Sequence, residues 1–190
     1  MAKARLDNVR LSYANLLVPR AIEAGQEPAY SAVCIIPKDS KDGKEAIRKL
    51  REAQEAAAQE GQEKFGQNFA KKYKDLVRDA DTHPDVDLDK NPEYEGSYIV
   101  NVKNTRKPVV VDQLKNPLHS SDDVYSGIYA NVVLNTFPYK HPTGGMGVSF
   151  SLSAVQKVKD GERFDGASVN IDEEFDELEV DDTDADDLLG

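Results

Sequence analysis

The chain has one cysteine, no apolar run long enough to cross a bilayer, and no basic residue in its last twenty positions. Each shortage removes a class of protein. Cys34 has no partner for an internal disulfide and sits in the apolar run "AVCII", which reads as a buried, reduced thiol. Nothing approaches the roughly 20 consecutive apolar residues that a membrane helix requires. The N-terminal stretch "MAKARLDNVRL" carries charge but no apolar h-region, so no secretory signal is expected. These features together predict a soluble intracellular protein with no membrane partner, and no internal repeat is present.

The missing positive charge is local. From Ile171 to Gly190 there are 11 Asp or Glu and no Lys or Arg. The whole chain holds 24 basic and 35 acidic residues, which leaves 24 of each sign before the tail, so the formal charge of −11 belongs to the tail. The sequence therefore divides into a body, residues 1–170, long enough for one domain, and an acidic, flexible and disordered tail, residues 171–190. An acidic average argues against nucleic acid as a partner, but a balanced body is free to gather its cations on one surface.

Alternating apolar and polar residues, punctuated by Gly, Pro, Asn and Asp, predict strands at 4–13, 29–37, 97–103, 108–112, 124–137 and 146–158. Between the second and third lies a helical insertion, about residues 40–77. Ala46, Leu50, Ala53 and Ala57 form its narrow apolar stripe, beside Ile47. Asp42 and Glu45 read as an N-terminal capping pair and Gly61 as the stop, with a second short helix carrying Phe65, Phe69, Tyr73 and Leu76. Short strands with one helical insertion predict a mainly β fold, a small barrel decorated by helices.

The most informative stretch is "YSGIYANVVLNTFPY", residues 125–139. Side chains alternate sides along a strand, so Ile128, Ala130, Val132 and Leu134 form the core face. The other face carries Tyr125, Gly127, Tyr129, Asn131, Val133, Asn135 and Phe137. Rings on a solvent-side barrel face make stacking platforms for unpaired bases, worth about 1–3 kcal/mol per base. Gly127 would admit a base or a backbone at close range. The alternative is that the rings are covered, by the helical insertion or by a partner subunit.

In "SYIVNVKNTRKP", Tyr98, Val100 and Val102 take the core side, Asn101 and Lys103 take the other, and Arg106 and Lys107 follow in the loop. Such cations suit a track of phosphates, as does Lys140, next to Tyr139 and His141. In "GGMGVSFSLSAVQKV", Val148, Phe150, Leu152 and Ala154 alternate with serines, giving a half-buried strand. The glycines at 144, 145 and 147 form a loop, not a phosphate cradle, because no helix follows them.

Two other classes compete. "RDADTHPDVDLD" gathers Asp79, Asp81, His83, Asp85, Asp87 and Asp89, which invites a metal-dependent nuclease. It lacks the Gly and Glu positions of a calcium loop, and Pro84 and Pro92 mark an irregular exposed segment. A protein-interaction module with a DNA-mimicking tail is the second. It predicts no intrinsic DNA affinity.

The stretches "ANLLVPRA", "YSAVCIIPKDSKD", "YEGSYIVNVKNTRKPVVVD", "DVYSGIYANVVLNTFPY" and "GGMGVSFSLSAVQKVKDGERFDG", in that order, resemble a family of phage-encoded single-stranded-DNA-binding proteins. The resemblance covers most of residues 14–166. It implies an OB-fold, binding of single-stranded DNA without sequence preference, no enzymatic activity, no cofactor, and a regulatory acidic C-terminus. It places the protein in the cytoplasm of a bacterial host, in phage replication and recombination. It also implies an Asp-Gly-Asp turn where this chain has Asp79-Ala80-Asp81, and an aromatic end where this chain has Leu188-Leu189-Gly190. On this reading Tyr125, Tyr129, Phe137 and Tyr139 stack bases, Lys103, Arg106, Lys107 and Lys140 hold phosphates, and Asn101 and Asn131 line the groove. Phe175, Leu178 and Val180 in the tail would anchor replication or recombination proteins.

Overall fold

The first strand shows how the barrel is built. In the computed structural model, which describes residues 2–164 apart from positions 22, 70, 72 and 144, β1 runs Ala2–Arg20. Strict alternation would predict an end near residue 13. Instead the inward set shifts parity twice, from Ala4 and Leu6 to Val9 and Leu11, and then to Leu16. A residue with positive φ stands at each shift, Asn8 at 52° and Tyr13 at 47°, and the pairing registers slip at the same places. Such bulges add twist and bend the strand. β1 thereby curls round the barrel, pairing with β6 (Tyr129–Lys140) over its first half and with β2 (Ala29–Pro37) over its second.

Next to β2 lies β4 (Ser97–Asn104), and next to β6 lies β7 (Met146–Lys159). A parallel pairing of Lys103 with Ser151 joins β4 to β7 and closes a barrel of β1, β2, β4, β7 and β6. Two short strands extend it: β3 (Arg78–Asp79) on β4 and β5 (Val109–Val111) on β7. Leu6, Cys34, Val100, Ile128, Ala130, Val132, Leu134 and Leu152 fill the interior with no exposed surface. Burying each of the larger ones contributes about 1.5–3 kcal/mol. Burial also pushes the Cys34 thiol up to about 12.

The insertion forms one helix, α1 (Lys41–Phe65), whose Ala46, Ile47 and Leu50 enter the main core. Ser40, not Asp42, caps it: the Ser40 hydroxyl accepts a hydrogen bond from the Gly43 amide at 2.9 Å. Gly61 does not stop it either. It lies buried inside the helix because the Phe69 ring packs on it, 2.2 Å from where a Cβ would stand. Phe69 and Tyr73 do not form a second helix; beyond Phe65, the last residue of α1, they fold back as irregular chain and pack with Phe65 onto Ala57, Ala58 and Val148. Leu76 reaches the main core there, and the Gln54 amide holds the return by accepting from the Leu76 amide and donating to Asp75.

The aspartate-rich segment covers part of the barrel's outside. Ala80 and Tyr94 bury Ile35 and Ile99, the outward residues of β2 and β4 at that level. Ala80 serves in place of glycine because its backbone is not in the left-handed region, while Asp79 and Asp81 both grip Lys38, at 2.5 and 2.7 Å. Asp87 accepts from the Asp89 amide, closing a local turn. Among the described residues, no group of three or more His, Cys, Asp or Glu is placed to hold a metal ion. No helix among them is long and apolar enough to cross a membrane.

Candidate nucleic-acid interface

The β6 strand begins at Tyr129, not at residue 124, and this divides the aromatic row. Gly127 has φ of 121°, which breaks the alternation, so Tyr125 does not share the outward face of Tyr129. Tyr125 turns into the core instead and is 7% exposed. Its hydroxyl bonds Asp160 at 3.0 Å and the Gly161 carbonyl at 3.1 Å, and its ring lies beside the Lys157 ammonium and the Arg163 guanidinium, at 5.5 and 4.2 Å. Tyr125 is therefore no stacking platform. Gly127 does admit a close backbone, but that of the chain's own Glu162: a Cβ would stand 2.0 Å from its carbonyl oxygen.

Tyr129 is half-buried and already carries cations. The Lys159 ammonium lies 4.6 Å and the Arg10 guanidinium 5.2 Å from its ring centre, and Gly161 packs on its edge. Arg10 also lies 4.2 Å over the Phe164 ring and donates to the carbonyls of Gly127 and Glu162. Residues 160–164 thus form a strap across this end of the barrel, and the helical insertion takes no part in it. Asn131 is committed to its neighbours, accepting from the Asn8 amide at 3.0 Å and donating to Gln156 at 3.1 Å.

Among the described residues no strap covers the far end of the same strand, where the rings are likewise half-buried. Phe137, Tyr139 and the exposed Lys140 lie on it, with Tyr139 resting against Gly147 and 5.2 Å from the His141 ring. Phe137 pairs with Ser149, and beside it a depression reaches Lys103, Thr105 and Ser151, rimmed by Gln26 and Glu27. A second depression, about 460 Å³, continues from Lys103 past Asn101, Ser31 and Asn15 to Tyr13. Arg106 and Lys107 are exposed and follow Thr105 in the loop. The structure therefore brings Asn101, Lys103 and Phe137 to one trough, keeps Tyr139 and Lys140 on the strand beyond Phe137, and separates Tyr125, Tyr129 and Asn131 from them.

The register explains the trough. Asn15 stands opposite Ser31, Ser31 opposite Lys103, Lys103 opposite Ser151, and Ser151 opposite Asn135. This outward row of small or amide side chains crosses all five barrel strands, with one long cation at its middle. Because strands tilt in a closed barrel, the row meets β1 again at Lys3, opposite Asn135. Sequence reasoning missed Lys3, which lies outward beside the buried Ala4, and the strap's cations Arg10, Lys157, Lys159 and Arg163. Alternation along "AKARL" signals Lys3; nothing local signals the strap. Lys157 turns inward because β7 also slips register, which buries Val155 in place of Ala154.

The comparisons decide the lineage. The family described as "Enterobacter phage Enc34, ssDNA-binding protein" matches residues 2–189. The chain belongs to this family. A relative from Acyrthosiphon pisum secondary endosymbiont phage 1, "Putative protein p50", is 30% identical over 182 residues, spanning 94% of this chain and 95% of that one. The solved single-stranded DNA-binding protein from bacteriophage Enc34 in complex with ssDNA superposes with a TM-score of 0.68 at 26% identity, covering 85% of this chain and 89% of that one. The bacteriophage T7 protein gp2.5, a single-stranded DNA-binding protein, shares the fold at a TM-score of 0.59 and 17% identity, over 94% of this chain and 97% of that one. The five-stranded barrel with its inserted helix is the OB-fold of these proteins.

Proposed function

We propose that this chain binds single-stranded DNA without sequence preference, coating it during phage replication and recombination in the host cytoplasm. One observation carries the reading: a trough runs across five strands with Lys103 at its centre and the half-buried Phe137 ring at its end. Small serine and amide side chains let an extended backbone lie close to the sheet. Lys103, Arg106, Lys107 and Lys140 supply phosphate contacts, and Phe137 and Tyr139 supply ring faces, which every base accepts. The row's two amides are engaged within the protein, Asn15 donating to the Tyr13 carbonyl and to Ser31 and Asn135 donating to Ser153, so neither is offered whole to the edge of one base. A filter or gel-shift assay with a thymidine oligonucleotide at two salt concentrations tests the reading. Binding whose logarithm falls with log salt, by about 0.7 per phosphate neutralised, supports it. No binding at low salt would sink it and favour the interaction-module alternative.

The acidic segment, including Phe175, Leu178 and Val180, lies outside the described residues. Its charge supports a role as a tethered polyanion that competes for the cationic trough and, once displaced, recruits replication or recombination proteins. A flexible segment of about 20 residues spans on the order of 25 Å, and tethering holds it at millimolar effective concentration. Deleting residues 171–190 is expected to tighten DNA binding and flatten the preference for single strands over duplex. Unchanged binding curves would remove the idea.

A further inference from the structure

Tyr13 did not enter the sequence-based site, yet three separate features single it out. Its side chain is 59% exposed, and no other aromatic among the described residues is as open to solvent. Its φ of 47° places a bulky residue in the left-handed region, which such residues rarely occupy. It stands at a register slip between Ser12 and Asn15, the kind of bulge that re-aims a side chain beside a functional site. The bulge re-phases β1 so that Leu16 is buried, but that task does not call for an exposed ring at its tip. Strained backbone at an exposed position points to a task for the side chain.

The surroundings say what the task is. The Tyr13 hydroxyl donates to Asn91 Oδ1 at 2.9 Å, which steadies the ring by its polar tip. The ring borders the trough that holds Asn101 and Lys103. It also borders two further depressions, one toward Arg20 and Tyr125 and one toward Lys90 and Phe164, with Arg163 lining both. Tyr13 is therefore the corner post between the trough and a second cation-lined limb. We infer that Tyr13 is a base-stacking platform that turns the bound strand from the Lys103 trough toward Arg20 and Arg163, so that one protomer engages DNA along both limbs. This rests on the proposed single-strand binding and extends its path.

The chain has no tryptophan, so Tyr13→Trp installs a sole indole, excitable at wavelengths the tyrosines do not absorb, at the proposed platform. Its emission is expected to quench as a thymidine oligonucleotide is titrated in. Tyr13→Gly removes the ring while suiting the left-handed backbone. It is expected to weaken binding about tenfold with an unchanged salt slope, because stacking is lost and phosphate contacts are kept. Its urea midpoint should be no lower than that of Asn91→Ala, which removes the anchoring bond but leaves the ring and binds within about threefold of the parent. Unquenched tryptophan in a variant that still binds would overturn the inference, as would parent-like affinity in Tyr13→Gly. So would an equal loss in Asn91→Ala, which would reduce Tyr13 to a strut for the loop. If the parent itself binds no single strand, the underlying reading fails and this one with it.

Discussion

The two ends of the β6 outer face differ in cover, not in composition. At one end Tyr129 lies against Arg10, Lys159 and Gly161, with Tyr125 sunk beneath the strap of residues 160–164. At the other, Phe137 and Tyr139 open beside Lys103 and a row of serines. Both ends have rings and cations. In the first the rings are covered by the chain's own cations and strap; in the second half-buried rings border a trough that no strap covers. Aromatic density alone therefore does not locate a stacking platform. What the chain lays over the rings decides it.

The sharpest way to break this contrast is Tyr125→Ala. A buried ring with two hydroxyl contacts should cost about 3–5 kcal/mol of stability when truncated, read as a lower urea midpoint. DNA affinity per folded molecule should fall less than in Phe137→Ala. Selective loss of binding with intact stability would instead make the strapped end the interface.

Next in size comes the open end. Phe137→Ala is expected to cost about 1–3 kcal/mol of single-strand affinity at constant salt slope, while Lys103→Ala should lower the slope by about 0.7. Tyr129→Ala, whose ring already holds cations, should cost less than Phe137→Ala in the same titration. The reverse order would invert the contrast.

The inner face of β6 was legible because alternation needs no long-range information: Ile128, Ala130, Val132 and Leu134 are all fully buried. Tyr125 was misread because inside and outside are relative labels along a strand. A single positive-φ residue, Gly127, relabels everything upstream of it. Asn8 and Tyr13 do the same in β1, which is why its reach to Arg20 and the role of Tyr13 were not visible. Lys103 was legible as an outward cation next to the core Val102, but its place at the centre of a trough depends on the closure of β4 onto β7. That pairing joins residues 48 positions apart and leaves no local trace.

The smallest expected effect is on pH. Asp160 is held below the usual carboxylate range by the Lys157 ammonium and the Tyr125 hydroxyl. A carboxyl lowered in the fold adds stability that is present above its unfolded value, about 3.9, and is lost as pH falls through the folded one. The strap should thus loosen only in acid, below about pH 4, and only slightly, because the Asp160 side chain is 77% exposed. Asp160→Asn should flatten that part of the stability–pH curve. An identical curve would show that the strap does not depend on this ion pair.

The strap fixes a point of departure. Phe164 donates its amide to the Ser126 carbonyl at 3.0 Å and lies under Arg10, so whatever follows leaves the barrel from one set address. On the proposed competition, Phe164 is the fixed anchor from which residues 171–190 would act. The same proposal expects a few glycines inserted after position 166 to tighten DNA binding without altering a single charge, and unchanged binding would count against it.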